Sequence, residues 1–261
     1  MIRIIIIIFS IFYSTLGYAG AWVQEKGHGL NIFTFRRYIS DQTWSSSGSL
    51  QGSPIYTKSE IDEYLEYGLT EKLTVGLYLS ALQSHSASMG VDRGSNNNAI
   101  LGRYLLWDNQ SSVVSVQVFA NRLGPAVEFD IPASNSRFNT GEALLFGTGG
   151  SGANINQYWF FNALLGLVQR YAAGDQLQLN LEGGWKFEDK NYWFLLQNYN
   201  TLNPGNLTAP TGTGYNLITI APSLVYWITK TVGLQFGVAQ DIYGQNVGKG
   251  TSPFVASWVQ F

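Results

Sequence analysis

Along most of the chain, hydrophobic and polar residues alternate one by one. In the run "IYTKSEIDEYLEYGL", Ile55, Thr57, Ile61, Leu65, Tyr67 and Leu69 fall on one side, and Lys58, Glu60, Asp62, Tyr64 and Glu66 on the other. A period of two belongs to an extended strand, whose successive side chains point to opposite faces. The same rhythm sets Leu73, Val75, Leu77 and Leu79 against Thr74, Gly76, Tyr78 and Ser80. It sets Leu177, Leu179, Leu181, Trp185 and Phe187 against Gln178, Asn180, Glu182 and Lys186. It recurs with Val232, Leu234, Phe236 and Val238 against Gln235, Gly237 and Asp241. Such segments run about 9–13 residues, longer than the globular mode of about 5–6. A tilted strand needs about 9–11 residues to cross a hydrocarbon layer.

The connections sharpen the picture. Strands are predicted near 27–38, 55–69, 72–83, 98–107, 112–121, 141–149, 155–171, 176–187, 191–199, 215–228, 231–243 and 251–261. Every second connection is short: Thr70-Glu71, 108–111, 150–154, 188–190 and Thr229-Lys230. The others are mostly long and turn-rich, at 39–54, 84–97, 122–140, 200–214 and 244–250, with 172–175 as the short exception. Short turns on one side and long loops on the other predict an all-β, closed antiparallel transmembrane β-barrel with periplasmic turns and extracellular loops. About twelve strands fit best. Ten is the alternative, in which 122–156 is one loop and 176–199 one long strand. An even count returns both chain ends to the periplasmic side.

Aromatic residues agree. Tyr67, Trp107, Trp185, Phe187, Tyr226, Trp227 and Phe261 lie near the short-turn ends, where amphipathic rings form a girdle at a membrane–water interface. Closure has a physical cause: in lipid every backbone N–H and C=O must be paired internally, and a closed sheet leaves no edge. Pro222 within "ITIAPSLVYW" removes a ladder donor, so a bulge or a rim-exposed donor position is expected there.

Composition fits this frame. Charged residues make up 12% of the 261, against roughly 25% in soluble domains. Aromatics reach 15%, there are 29 glycines, and hydrophobic residues are 45%. Mean hydropathy is near zero. That excludes a helical membrane bundle, which needs apolar runs of about 20 residues. A barrel needs only one apolar face per strand. The formal net charge of −2, with no basic face, gives no reason to expect nucleic acid as a partner. There are no cysteines, which excludes disulfides, thiolate metal sites and a lipidated N-terminal Cys.

Residues 1–21 have the order of a secretory signal peptide: Arg3, an apolar run from Ile4 to Tyr13, then small residues. Ala19-Gly20-Ala21 fits an A-x-A cleavage site with a mature start at Trp22, and cleavage after Ala19 is the nearby alternative. The expected barrel domain is 22–261, and the expected location is the bacterial outer membrane.

The chain ends on "PFVASWVQF", with Val255, Val259 and the terminal Phe261. This resembles the C-terminal strand signal of Gram-negative outer-membrane β-barrels, although Trp258 falls out of phase with the apolar face. The mature start "AWVQEKG" and the phrase "EYGLTEKLTVG" resemble uncharacterised outer-membrane barrels grouped with porin-like and phenol-degradation-pathway (MetA-type) transporters. The resemblance implies a barrel bathed in outer-membrane lipid. It further implies recognition by the barrel-assembly machinery through the strand ending at Phe261.

Candidate chemistry is sparse. The row Lys58, Glu60, Asp62, Tyr64 and Glu66 is the densest charge on any strand, and reads as barrel lining. Gln178, Glu182, Lys186 and Asp241 extend it. Arg36, Arg37, Arg103 and Arg170 supply counter-charges, with only one of the adjacent pair able to face inward. His85, between Ser84 and Ser86, is placed in a loop at the rim and marks no catalytic site on its own. Two histidines far apart, without carboxylates at ligand spacing, predict no metal. Gly147, Gly149 and Gly152 match G-x-G-x-x-G, but a strand follows instead of a helix, so no dinucleotide cofactor is expected and a tight turn explains them better. The expectation is a narrow passive channel for small solutes and not an enzyme, with the loop 122–140 long enough to fold inward. A non-channel structural or surface-interaction barrel is the alternative, and a rim hydrolase ranks below it.

Overall fold

The computed structural model describes residues 20–86, 90–95, 97–123, 138–151, 158–170, 175–187, 191–203 and 214–261. Its regular elements are thirteen strands: β1 (Gly29–Trp44), β2 (Leu50–Thr70), β3 (Leu73–Ser86), β4 (Gly90–Ser95), β5 (Asn97–Asp108), β6 (Ser112–Leu123) and β7 (Phe138–Ser151), followed by β8 (Tyr158–Arg170), β9 (Gln176–Lys186), β10 (Tyr192–Leu202), β11 (Asn216–Trp227), β12 (Val232–Gln245) and β13 (Val247–Gln260). All pairings between these strands are antiparallel, and β1 pairs with both β2 and β13, so the sheet closes. β3 pairs with β5 along Leu73–Tyr78 and with the short β4 along Ala81–Ser86. β4 thus extends the line of β5, and the barrel has twelve strand positions. The presence of β7 removes the ten-strand alternative.

Alternation sorts the faces as the pattern predicts. Phe33, Phe35, Ile39, Ile61, Leu79, Phe236, Val238, Val255 and Val259 are exposed on the outer wall, the face that a membrane-spanning barrel turns to hydrocarbon. Glu60, Asp62, Glu66, Thr74, Ser80, Gln235 and Asp241 are buried on the inner wall. Charges interrupt the outer pattern at Arg37, Glu63 and Glu142; Glu63 lies in phase with Ile61 and accepts a hydrogen bond from Asn31 Nδ2 at 2.9 Å.

Strand ends depart from the sequence reading. The segments 39–54 and 244–250, expected as loops, are mostly strand. β1 and β2 meet in a turn where Ser45 O accepts from Gly48 N at 3.0 Å. Only Asn246, at φ 54°, separates β12 from β13. The 21 residues of β2 span about 70 Å at about 3.3 Å each, roughly twice what a tilted strand needs to cross an apolar band of about 25 Å. Beyond that band both faces meet water, so the hydrophobic alternation disappears while the ladder continues. Pro222 produces no bulge. The β11–β12 ladder skips Ala221 and Pro222 without a change of register, and the irregularity lies at Ile218/Thr219. Pro222 sits opposite Leu196 of β10 with its ring on the outer face.

At the short-turn end, Tyr67, Trp107, Trp185, Phe187, Tyr226 and Phe261 are exposed as a girdle should be. Trp227 is a correction. It follows the outward Tyr226 by one residue, so it points inward and is 8% exposed. There it joins Trp258, Trp193, Phe160, Leu30, Leu195, Val225 and Ala256 in an apolar cluster inside the barrel. The out-of-phase Trp258 has the same explanation: its ring lies edge-on to Trp227 at 6.4 Å, and its Nε1 donates to Gln235 Oε1 at 2.9 Å.

Candidate functional site

The inner wall encloses a cavity of about 910 Å³ running from Ala21 and Trp258 near the short-turn end to Asn246 at the opposite tip. Two fillings narrow the short-turn end. One is the tryptophan cluster. The other is the segment before β1, which folds back into the barrel, so that Ala21 and the flanking Trp22 pack on Val113, Ala143, Leu145, Leu105 and Leu164. Gly147 makes this possible: a Cβ there would lie 2.8 Å from Trp22 Nε1 and 3.0 Å from Ala21 Cβ. The glycines 147 and 149, expected in a turn, therefore lie within β7, and Gly147 serves close packing. Gly152 is outside the described residues.

Polar bonds fix the segment. Gln24 N donates to Thr74 Oγ1 at 2.7 Å, and Gln24 Nε2 to Glu66 Oε2 at 2.9 Å. Ser115 Oγ donates to the Ala21 carbonyl at 2.5 Å, and Arg103 Nη1 to the Trp22 carbonyl at 3.0 Å. Arg103 also forms an ion pair with Glu66 Oε1 at 2.7 Å and donates through Nη2 to Gln117 Oε1 at 2.9 Å. Tyr64 OH donates to the same Glu66 carboxylate. The guanidinium and carboxylate are 3% and 0% exposed, so each buried charge depends on the other.

Higher on the same wall lies a second charged group. Arg36 Nη2 is 2.6 Å from Asp62 Oδ2, and Lys58 Nζ is 3.1 Å from Glu60 Oε2. Tyr78 OH donates to Asp62 Oδ1 at 2.8 Å, and Ser80 Oγ to Glu60 Oε1 at 3.1 Å. Arg36 is the inward member of its pair, while Arg37 is exposed on the outer wall.

Of the residues expected as lining, Asp62, Tyr64, Gln178 and Glu182 border the cavity. Glu60, Glu66 and Asp241 are buried in the wall. Asp241 accepts from Thr219 Oγ1 at 2.6 Å, Tyr38 OH at 3.1 Å and Gly250 N at 3.0 Å. Lys58 lies against Glu60, and Lys186 lies over the Tyr158 ring at 5.5 Å near the short-turn end. Across the barrel from Arg36, Glu182 accepts from Asn162 Nδ2 at 3.1 Å and Gln197 Nε2 at 2.9 Å. Much of the remaining lining consists of carboxamides, among them Asn97, Asn121, Asn139, Gln117, Gln176 and Asn180. Their inward phase on the strands was the available sequence signal. For the N-terminal segment no such signal existed.

His85 is in β3 and not in a loop; it is exposed on the outer face while Ser84 and Ser86 are buried on the inner one. Strand alternation therefore separates the histidine from its flanking hydroxyls. Most of the loop 122–140 falls outside the described residues.

No protein-family model matches the chain, and no curated protein matches its sequence. Its fold is similar to that of the COG4313 outer membrane channel from Pseudomonas putida F1, with a TM-score of 0.72 at 13% identity over 94% of this chain and 100% of that one. The chain folds as a bacterial outer-membrane β-barrel. Looser likenesses join it to the KdgM porin (TM-score 0.47, 12% identity, 88% and 99% of the two chains) and to the CymD monoaromatic hydrocarbon channel (0.47, 10%, 91% and 89%). Those two are too distant to bear on what this barrel carries.

Proposed function

We propose that the barrel is a narrow passive channel for small solutes across the outer membrane and has no catalytic role. The observation that carries this reading is the cavity of about 910 Å³ inside a closed sheet whose outer wall is apolar. Twelve strands lie between the roughly 8 that leave a filled interior and the 16–18 that leave an open aqueous channel. The tryptophan cluster and the segment at Ala21–Gln24 narrow the passage further. Carboxamides offer donors and acceptors without charge, so they suit small neutral polar molecules better than ions. Asp62, Tyr64, Gln178 and Glu182 act as lining, with Arg36 balancing the acidic side. Glu60 and Glu66 hold that lining in place, while Lys186 stands at the periplasmic mouth and Asp241 braces the β1, β11 and β13 wall.

The finer relationship to phenol-degradation-pathway (MetA-type) transporters rests on the phrases at residues 21–27 and 66–76 and makes phenol a natural test solute. Insertion by the barrel-assembly machinery is proposed to proceed through β13 and Phe261. The experiment is swelling of proteoliposomes in small amides, sugars of increasing size and phenol. Entry of the small solutes with a sharp cut-off by size supports the channel. Rates equal to those of protein-free vesicles for every solute contradict it.

A further inference from the structure

Glu182 and Asp241 stand apart from the charge pairing of the inner wall: among the described residues neither has a cation partner, and Glu182 has two hydrogen-bond donors to the three of Asp241. The carboxylates of Glu60, Asp62 and Glu66 each have a cation within 4.0 Å, and Asp241 receives a backbone N–H and two hydroxyls. Glu182 receives only two neutral carboxamides, and among the described residues no cation pairs with it. Beside it Asn162, 5% exposed, has an Oδ1 with no hydrogen-bond donor. A buried acceptor without a donor, next to a carboxylate without a counter-charge, is costly unless a cationic donor arrives.

The backbone that reaches this place is Gly20. A Cβ on Gly20 would lie 2.3 Å from Asn162 Nδ2 and 2.9 Å from Asn162 Oδ1, so the Gly20 backbone packs directly against that carboxamide and a side chain there would have to push it aside. We propose that the mature chain begins at Gly20, and that its α-ammonium is the missing cation, donating to Asn162 Oδ1 and neutralising Glu182. The covalent step is hydrolysis of the Ala19–Gly20 peptide bond by a signal peptidase. Water supplies the hydroxyl that ends the leader as the Ala19 carboxylate, and the proton that makes the Gly20 amine. At neutral pH that amine takes a further proton from solvent. Gly17 and Ala19 provide the small side chains such a peptidase requires at the third and first positions before the cut.

The cut after Ala21, which the A-x-A pattern at Ala19-Gly20-Ala21 favours in the sequence, fits the interior poorly. It would discard Ala21, which is 0% exposed and whose carbonyl accepts from Ser115 Oγ. It would also create an ammonium on Trp22, the residue whose carbonyl already accepts from Arg103 Nη1 at 3.0 Å. A second cation would then stand beside Arg103, which Glu66 already pairs, while Glu182 stayed without a partner. The processed terminus is thus a built part of the barrel, latched to β8 and β9 from the inside.

Intact-mass and N-terminal peptide analysis of the full chain, exported and purified from outer membranes, tests the cut directly. A mature start at Gly20 is expected, and a start at Trp22 overturns the proposal. The latch is tested by labelling the terminal amine of the folded protein with an amine-reactive ester, followed at the N-terminal peptide. Slow labelling is expected in the native protein and in Glu182→Asp, which keeps the charge, with labelling at least several-fold faster in Glu182→Gln. Equal rates in all three overturn the ion pair. Should Glu182→Gln fail to assemble, labelling of the native protein before and after unfolding decides: a terminus as reactive folded as unfolded overturns the latch. Neither measurement depends on whether the barrel conducts.

Discussion

Arg103 ties several parts of the interior together. Its guanidinium bonds Glu66, Gln117, Tyr64 and the carbonyl of Trp22, tying β2, β5, β6 and the N-terminal segment together. Removing one member of a buried pair leaves the other charge unsolvated and costs about 3–5 kcal/mol. Arg103→Ala should therefore lower the urea midpoint of the refolded barrel by an amount of that order, whereas Arg37→Ala, on the exposed outer wall, should leave it nearly unchanged. Equal midpoints for both variants would contradict the pairing. Trp258→Ala empties a site in the packed aromatic cluster and should cost about 3–5 kcal/mol, read in the same titration. At this scale much was legible in advance. The inward row Glu60, Asp62, Tyr64 and Glu66 follows from a period of two, and so does the inward turn of Trp258. Trp227 was misplaced because nearness to the short-turn end was given more weight than its phase relative to Tyr226. The partner of each charge was not legible, because cross-strand register is set by turn geometry that the pattern does not encode.

Two elements set the width of the passage: the segment ahead of β1 and the seam between β1 and β13. Gly147 on β7 leaves the space that Ala21 and Trp22 occupy. A bulky Gly147→Leu should displace the segment, and deletion of 20–25 from the mature chain should remove it. Both changes are expected to raise conductance severalfold, and unchanged conductance in the deletion would contradict a narrowing role. At the seam, Gly29 N donates to Phe261 O at 2.7 Å and Phe261 N returns a bond at 3.1 Å. Phe261→Ala keeps those backbone bonds and removes only the exposed ring, so refolding in detergent should be unaffected. Less folded barrel should accumulate in outer membranes if the terminal ring is an assembly signal, and equal accumulation would argue against it. Strand identity was readable because lipid imposes alternation. Strand ends at Trp44, Leu50 and Gln245 were not, because β1, β2 and β12 continue beyond the apolar band, where polar and glycine residues hold a ladder without leaving a periodic trace. The inward fold of Ala21–Gln24 was invisible for a related reason: four non-periodic residues give no indication of the cavity they fill.

For the whole molecule, a closed sheet solves backbone pairing in lipid, and the inner wall is then free to carry charge and carboxamides. Low charge, many aromatics and a mean hydropathy near zero follow from that single arrangement. If Asp62 lines the passage, Asp62→Asn should shift the reversal potential in a salt gradient toward anions, while Lys186→Gln at the mouth should shift it less. An unmoved reversal potential for Asp62→Asn would remove it from the lining. The most direct test of the channel itself is single-channel recording of the refolded mature protein in a planar bilayer. Stable, small current steps that scale with salt concentration are predicted. A correctly folded barrel that never conducts, in the native form or with 20–25 deleted, would contradict the channel and leave a non-conducting barrel in the outer membrane.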